Sequence, residues 1–470
     1  MVLKLFNSLS LKKESFKPLH GKNVSLYSCG PTVYDYAHIG NFRAYLFYDL
    51  LRRWVKHEGF ALKSIMNITD VDDKTIRGAR SQGKTLSEYA RFYEKAFFED
   101  LNALGIEKYD AYPRATEHIP QMISLIEKLL TKGIAYKGED GSIYFKISSF
   151  KNYGKLSHLD LKGLKAGASG RVGADEYDKE SVSDFALWKA WTADDGEVSW
   201  GAPFGKGRPG WHIECSAMSM QYLGESFDIH TGGVDLKFPH HENEIAQSEG
   251  ATGVRFVKCW LHNEHLFVEG RKMSKRFKNF YTLRDVLAKG YSPKALRLLL
   301  LSTHYRSQLN FTFEALDNAE NTVKKLGEFA FRLNGVKGGK GAGVLDSALA
   351  GAKKSFAGAL DDDLDVANAL AAVFDFVKEF NKAVDEQKVS DKQAVEALEF
   401  LKEFDSVFGV VDWRASREVS LDAAIETLVE ERELARKKKD FKRADEIRAL
   451  LKSKGIILED TPKGVVWKNA

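Results

Sequence analysis

Val24-Ser25-Leu26-Tyr27-Ser28-Cys29 is a β-favouring run that stops at Gly30-Pro31, and Phe42 to Trp54 follows with apolar residues at helical spacing. A second run, Ser64-Ile65-Met66-Asn67-Ile68-Thr69, reads as a buried strand, followed by acidic Asp70-Val71-Asp72-Asp73 and a long helical stretch through Leu104. Strands alternating with helices predict an α/β fold built on a doubly wound parallel sheet. From about Tyr112 to Pro209 the pattern changes to a helix at His118 to Lys132, a strand at Ser142 to Ile147, and then glycine-rich and aromatic loops. This stretch reads as a domain inserted into the sheet. After Leu298-Leu299-Leu300-Leu301 the chain becomes mostly helical, with a loop boundary at Asn334 to Gly343, an amphipathic helix at Val366 to Asn381 and a last helical block from Ser420 to Lys454.

The 470 residues are 44% hydrophobic, enough for three or four domains with cores of their own. Lys and Arg number 70 against 66 Asp and Glu, so any nucleic-acid footprint must come from local clustering rather than from the net charge of +4. Arg436-Lys437-Lys438-Lys439 with Lys442-Arg443 is such a cluster. A run of this kind is ordinarily a solvated helix face, and clustered cations are equally what phosphate binding requires. Three cysteines argue against a disulfide framework and for a reducing compartment, the cytoplasm. The first residues lack the apolar run of a signal peptide, and no segment approaches the ~20 apolar residues of a membrane span, so no membrane partner is expected.

Three separated stretches, Ser28-Cys29-Gly30, Ile213-Glu214-Cys215 and His240-His241-Glu242-Asn243-Glu244, carry the atom types that hold one zinc ion. Each alone has a plainer reading. A lone cysteine packs as a small apolar group, and His240 with Glu244, at i and i+4, can form an ordinary surface pair. Cys259 has no partner signal and is assigned to the core. His241-Glu242 begins a zinc-protease pattern, but Ile245 stands where its second histidine would be. Interleaved with these stretches are His38-Ile39-Gly40-Asn41, at the opening of a helix where amides and the helix dipole favour phosphate, and Lys272-Met273-Ser274-Lys275. His38 and Asn41 can donate to phosphate oxygens, Gly40 leaves room for an adenine, and Lys272 and Lys275 supply positive charge. Gly78-Ala79-Arg80-Ser81-Gln82-Gly83-Lys84-Thr85 spells a phosphate loop letter for letter. A charged helical segment precedes it instead of a hydrophobic strand, so the context argues against that reading.

Cys29-Gly30-Pro31-Thr32-Val33-Tyr34-Asp35, His38 to Asn41, Asn67 to Lys74, Gly210-Trp211-His212-Ile213-Glu214-Cys215 and Phe238 to Gln247 together resemble the cysteinyl-tRNA synthetases, a family of class I aminoacyl-tRNA synthetases. The likeness runs nearly end to end, and Ala444 to Arg448 with Leu458 to Thr461 resembles the family's anticodon-reading end. The resemblance implies a Rossmann-like catalytic domain with an inserted connective domain and C-terminal α-helical domains. Its expected divisions are 1–111 and 210–265 for the two catalytic halves, 112–209 for the acceptor-end insertion and 266–333 for the phosphate loop and stem contacts. A helical bundle at 344–415 and an anticodon domain at 420–470 complete the chain. It further implies that Cys29, Cys215, His240 and Glu244 bind one zinc that takes the substrate thiolate, with His241 a neighbour. Thr69 and Trp211 would belong to the cysteine pocket, Gly233 and Asp235 would contact adenosine, and Lys275 would act on the ATP phosphates. Expected partners are L-cysteine, ATP with magnesium, and tRNA(Cys), and the expected state is a monomer. Two positions depart from the family pattern: Arg276 ends the phosphate loop, and Thr231 stands where a glycine would precede Gly232-Gly233.

Zinc suits a cysteine substrate, because a pocket sensing shape alone separates near-identical amino acids by ~1–3 kcal/mol. Thiolate binding adds what serine's hydroxyl cannot match. Selection without an editing site is therefore expected, and the insertion shows no second catalytic constellation. Two rival readings remain: a ligase joining cysteine to an amino sugar, which would lack the residues beyond Ser420, and a zinc-stabilised RNA-binding protein. Whether Asp70, Asp72 or Asp73 touches magnesium stays open, since such a cluster is often a helix cap.

Overall fold

A computed structural model of the protein describes residues 2–158, 184–273, 279–413, 425, 427–436, 438, 440–453, 456–461 and 464–469. The chain divides into two compact units, 1–320 with 350–375 and 404–409, and 321–349 with 376–403 and 410–470.

The first unit opens with a hairpin of β1 (Lys4–Asn7) and β2 (Lys12–Ser15), followed by β3 (Asn23–Ser28), α1 (Ile39–His57), β4 (Ala61–Met66), α2 (Asp73–Ser81) and α3 (Leu86–Ala103). β3 starts exposed and ends with Leu26, Tyr27 and Ser28 fully buried, so its carboxyl end lies inside the molecule. The single helical stretch expected before Leu104 is two helices. Gly83 turns the chain at φ +62°, and Thr85 caps α3 through Glu88. Ala111 and Arg114 then bridge in parallel to Ile65 and Ile68 on the outer side of β4.

The insertion contributes α4 (Ile119–Thr131) and an antiparallel sheet of β5 (Ala135–Lys137), β6 (Ile143–Phe145), β7 (Phe185–Ala190) and β8 (Gly207–Pro209). The chain returns through α5 (Trp211–Leu223), β9 (Phe227–Gly233), α6 (Glu242–Thr252) and β10 (Val257–Asn263). The main sheet is parallel in the order β10, β9, β3, β4. Because β9 pairs with β3 on the side away from β4, the strand order reverses between them. That reversal is where a doubly wound sheet opens its ligand crevice.

Beyond the sheet come β11 (Leu266–Val268), β12 (Arg271–Lys272), α7 (Leu283–Ala288), α8 (Pro293–Leu301) and β13 (Leu309–Phe311). Helices α9 (Phe313–Asn334), α10 (Gly343–Asp361), α11 (Val366–Asp385) and α12 (Asp391–Phe408) follow, and the glycine-rich boundary falls in the loop between α9 and α10. Arg297, fully buried on α8, reaches Asp49 at 2.5 Å and the carbonyl of Leu104 at 3.1 Å, tying α8 to α1 within the first unit.

In the second unit Phe376 packs against Phe329, Phe380 and Phe400 with ring centroids 4.7–5.6 Å apart. The helical block expected to reach Lys454 closes with a helix that ends at Ser453, and the described residues beyond it, to which the sequence pattern assigned no element, are strand. After the helix Phe441–Ser453 the chain forms an antiparallel hairpin, Ile456–Thr461 with Gly464–Asn469. Among the described residues no helix is long and apolar enough to cross a membrane.

Candidate metal centre and nucleotide site

The crevice between β3 and β9 is built by close backbone approach. Ser28 pairs with Thr231, and the Cys29 amide donates to the Thr231 carbonyl at 3.1 Å. A Cβ on Gly30 would lie 1.8 Å from the Asn67 carbonyl oxygen, so only glycine lets the chain turn against the end of β4. The Gly30 amide donates to Asn67 Oδ1 at 2.9 Å. The first turns of α5 supply Trp211, Glu214 and Cys215, which share one helix face at i, i+3 and i+4. The turn Lys237–His241 and the start of α6 supply His240 and Glu244.

These segments bring one ligand atom each from Cys29, Cys215, His240 and Glu244 within 4.8 Å of one another, all four residues buried. A second quartet overlaps it, Cys29, His230, His241 and Glu244. Glu244 Oε2 receives His230 Nε2 at 2.9 Å, while Oε1 lies 3.1 Å from His240 Nε2 without accepting a well-directed hydrogen bond. His241 Nε2 is 3.3 Å from Cys29 Sγ, and its Nδ1 is 2.8 Å from His262 Nε2. His212 Nδ1 lies 2.9 Å from His240 Nδ1.

Charge is sharply partitioned here. The hydrogen bond from Cys29 brings the Cys215 thiol down to about 6, against the effect of burial, and burial pushes Cys29 up. Burial opposes a charged His240, but the Glu244 carboxylate and Cys215 outweigh it and raise the imidazole to about 10. Burial likewise opposes the Glu244 carboxylate, which His230 and His240 hold at about 2. Burial and the neighbouring histidines keep His241 well below its ordinary value. Anionic sulfur and carboxylate donors with an imidazole are the set zinc accepts, and a cation bound there would take the place of the proton that Glu244 and Cys215 hold on His240.

The other expected residues divide into those the fold gathers and those it employs elsewhere. Trp211 is 41% exposed with its ring 4.3 Å from that of His240, and Thr69 is buried beneath, donating to Glu214 Oε2 at 2.9 Å. Gly233 ends β9, and Asp235 lies in the turn after it. His38 caps α1: its Nδ1 accepts from the Asn41 amide at 3.2 Å while Asn41 Oδ1 accepts from the His38 amide at 3.1 Å. A Cβ on Gly40 would meet both the His38 ring and Met273 Cε at 3.0 Å, so the helix opening and the Lys272 segment lie together. Lys272 is exposed on β12. Lys275 and Arg276 lie outside the described residues.

The acidic cluster is structural in its contacts. Asp72 caps α2 through Thr75, Asp70 accepts from the amide and hydroxyl of Thr116, and Asp73 pairs with Arg208 and with Lys189, fastening α2 to the insertion. The apparent phosphate loop is helix followed by a turn. Gly78 lies in α2, where a Cβ would be 2.3 Å from the Tyr89 hydroxyl, so the glycine serves the approach of α3. Cys259 is a buried free thiol, as expected.

Four participants carried no signal of their own. His230 and His262 stand outside every stretch singled out in the sequence, and His212 and Glu214 enter only as parts of the stretch around Cys215, with no role given to them. Only the register of β9 on β10, which sets Gly232 opposite His262 and His230 opposite Trp260, reveals the array.

A parallel sheet with a crevice at its reversal, a cysteine-rich donor set and a capped helix opening beside a lysine segment define a class I aminoacyl-tRNA synthetase catalytic domain. The chain matches the family description "tRNA synthetases class I (C) catalytic domain" over residues 15–321. The fold is that of Mycobacterium tuberculosis methionyl-tRNA synthetase in complex with methionyl-adenylate (TM-score 0.61, 16% identity, 82% of this chain and 89% of that one). Residues 355–412 match the DALR domain, and 418–467 match the "Cysteinyl-tRNA ligase anticodon binding domain". Curated proteins named "Cysteine--tRNA ligase" are 50% identical in Protochlamydia amoebophila (strain UWE25), over 99% of this chain and 98% of that protein, and 50% in Solibacter usitatus (strain Ellin6076), over 100% of both. The chain belongs to the cysteine–tRNA ligase family and is a ligase. The match beyond Ser420 falls on the residues that an amino-sugar ligase would lack.

Proposed function

We propose that this ligase selects its amino acid through one zinc ion held by Cys29, Cys215, His240 and Glu244. The observation that carries this is the buried convergence of four donors from three distant segments. The donor chemistry fits the ion, and Glu244 Oε1 is a buried carboxylate oxygen with no directed hydrogen bond. This quartet is preferred to the overlapping one because the alternative leaves Cys215, whose thiol is the more readily ionised, buried and unused. His230 and His241 then act as supports, fixing Glu244 and Cys29. Zinc, when bound, supplies a Lewis acid with high affinity for thiolate, a distinction that serine cannot satisfy.

The chain's own residues arrange the rest. Thr69 and Trp211 enclose the cysteine, Gly233 and Asp235 face the adenosine, and Gly40 leaves space for the base. The α1 amides with His38 and Asn41 receive the phosphates, and Lys272 with Lys275 stabilise charge as it builds. The cysteine carboxylate attacks the α-phosphate of ATP, giving cysteinyl-adenylate and diphosphate. The terminal ribose hydroxyl of tRNA(Cys) then takes the cysteinyl group and releases AMP. Magnesium accompanies ATP, and the protein works as a cytoplasmic monomer. Asp70, Asp72 and Asp73 are assigned no metal, being engaged by Thr116, Thr75 and Arg208.

Zinc analysis with cysteine-dependent ATP–pyrophosphate exchange tests the reading. One zinc per chain and exchange with cysteine but not serine are expected. Full activity in metal-free protein would overturn the reading.

A further inference from the structure

Glu214 is a buried carboxyl group to which the chemistry above assigns no work, and burial beside Cys215 pushes it well above the ordinary carboxylate value. It is 1% exposed, and Thr69 Oγ1 donates to its Oε2 at 2.9 Å. Thr69 Oγ1 in turn accepts from Asn67 Nδ2 at 3.2 Å, and Asn67 is fixed by the Gly30 amide. The carboxylate is therefore held in one place by a chain of bonds that starts beside Cys29. Among the described residues no Lys, Arg or His forms an ion pair with it. Buried carboxylates are ordinarily paired, because desolvation without a counter-charge is costly. This one stands unpaired next to Cys215 and one helical turn from Trp211.

Free cysteine brings a single cation, its α-ammonium, on the carbon adjoining the one that bears the thiol. Its carboxylate has to face ATP, and like charge keeps it away from Glu214. We propose that Glu214 is the counter-charge for the α-ammonium of cysteine, and that Asn67 and Thr69 are the positioning residues that aim it. The inference rests on the reading that Thr69 and Trp211 line the cysteine pocket. It adds a second requirement to the sulfur test: the ligand must be an α-amino acid as well as a thiol.

The discriminating ligand is 3-mercaptopropionate, which keeps the thiol and carboxylate and lacks the amine. Affinities of both compounds are measured by calorimetry on full-length, zinc-loaded wild type and on Glu214→Gln, which keeps the shape and the acceptor for Thr69. A charge-assisted bond corresponds to about ten- to hundredfold, so wild type should favour cysteine by that ratio. Glu214→Gln should bring the ratio close to one by weakening cysteine alone. Affinity for 3-mercaptopropionate, the KM for ATP and the zinc content should all hold. A preserved ratio in the variant, or equal weakening of both ligands, overturns the proposal. If the variant does not fold, wild type still decides, since equal affinity for the two compounds overturns the proposal as well. Failure of wild type to bind either compound would instead sink the cysteine-pocket reading.

Discussion

Gly232→Ala should damage the proposed metal centre without altering any of its four donors. A Cβ at this position would lie 2.3 Å from His241 Cε1 and 2.9 Å from Nε2, about 1 Å short of the ~3.5 Å at which carbon atoms rest in contact. The ring has nowhere to retreat. It is fully buried, held by Nδ1 to His262 at 2.8 Å, and packed against His230 and Trp260 with centroids 4.5 and 5.0 Å away. Accommodating the methyl requires a displaced imidazole, which also moves Nε2 off Cys29 Sγ. Overpacking costs about 1–3 kcal/mol and a lost hydrogen bond about 1 kcal/mol more. At an unfolding entropy of about 2.1 cal/mol/K per residue, a unit of roughly 350 residues loses about 1.4 °C per kcal/mol, so Tm should fall by roughly 3–5 °C. Scanning calorimetry gives the stability, and zinc content with cysteine-dependent exchange gives the function. Gly201→Ala is the matched control, because a Cβ there meets nothing within 4 Å. A Gly232→Ala protein with wild-type Tm, zinc content and exchange rate would refute the claim that His241 is immovably packed.

Cys215→Ser should lower zinc affinity at least about tenfold, read by competition with a chromophoric chelator, and exchange should fall with it. Arg208→Met strips Asp195 of its ion pair at 2.7 Å and breaks the link to Asp73, so a loss of about 3 kcal/mol is expected in urea titration. Asp49 is fully buried, and although burial opposes its charge, Arg297 and Arg53 lower its carboxyl below the ordinary value. A depressed folded-state value means that its stabilisation is complete above about pH 4 and is lost as pH falls through that value. Asp49→Asn should therefore cost about 3 kcal/mol at neutral pH and less as acid is added, because wild type loses there what the variant never had. Parallel acid-unfolding curves for the two proteins would contradict this.

The alternation of strands and helices was legible because the carboxyl halves of β3 and β4 are buried and read as β-favouring runs, while α1 keeps its buried residues at helical spacing. The break between α2 and α3 was also written in the sequence, as Gly83 followed by Thr85 and Glu88, yet helical periodicity on either side masked it. The terminal hairpin was missed for a similar reason. Ile456-Ile457-Leu458 and Val465-Val466-Trp467 favour strand, but the charged helical block before them dominated the reading. Chemical type narrowed the candidate donors to three stretches, since few side chains bind zinc, and the choice of Cys29, Cys215, His240 and Glu244 within them rests on the family resemblance. Their supports could not be picked out, because His230 and His262 are brought together by strand register, a long-range property that no local window contains.

Thr231 and Gly232 show how differently two neighbouring positions can constrain a site. Thr231 stands where the family pattern has glycine, and nothing collides. Its side chain is buried, and Oγ1 donates to Ser28 Oγ at 2.8 Å, knitting β9 to β3 at the mouth of the crevice. Alternation along a strand sends the next Cβ to the opposite face, where His241 already fills the space. A side chain at 231 therefore reinforces the sheet, whereas at 232 the smallest one displaces a ring in contact with Cys29. The pattern's glycines answer to separate demands, and the departure falls on the face of β9 that can absorb it.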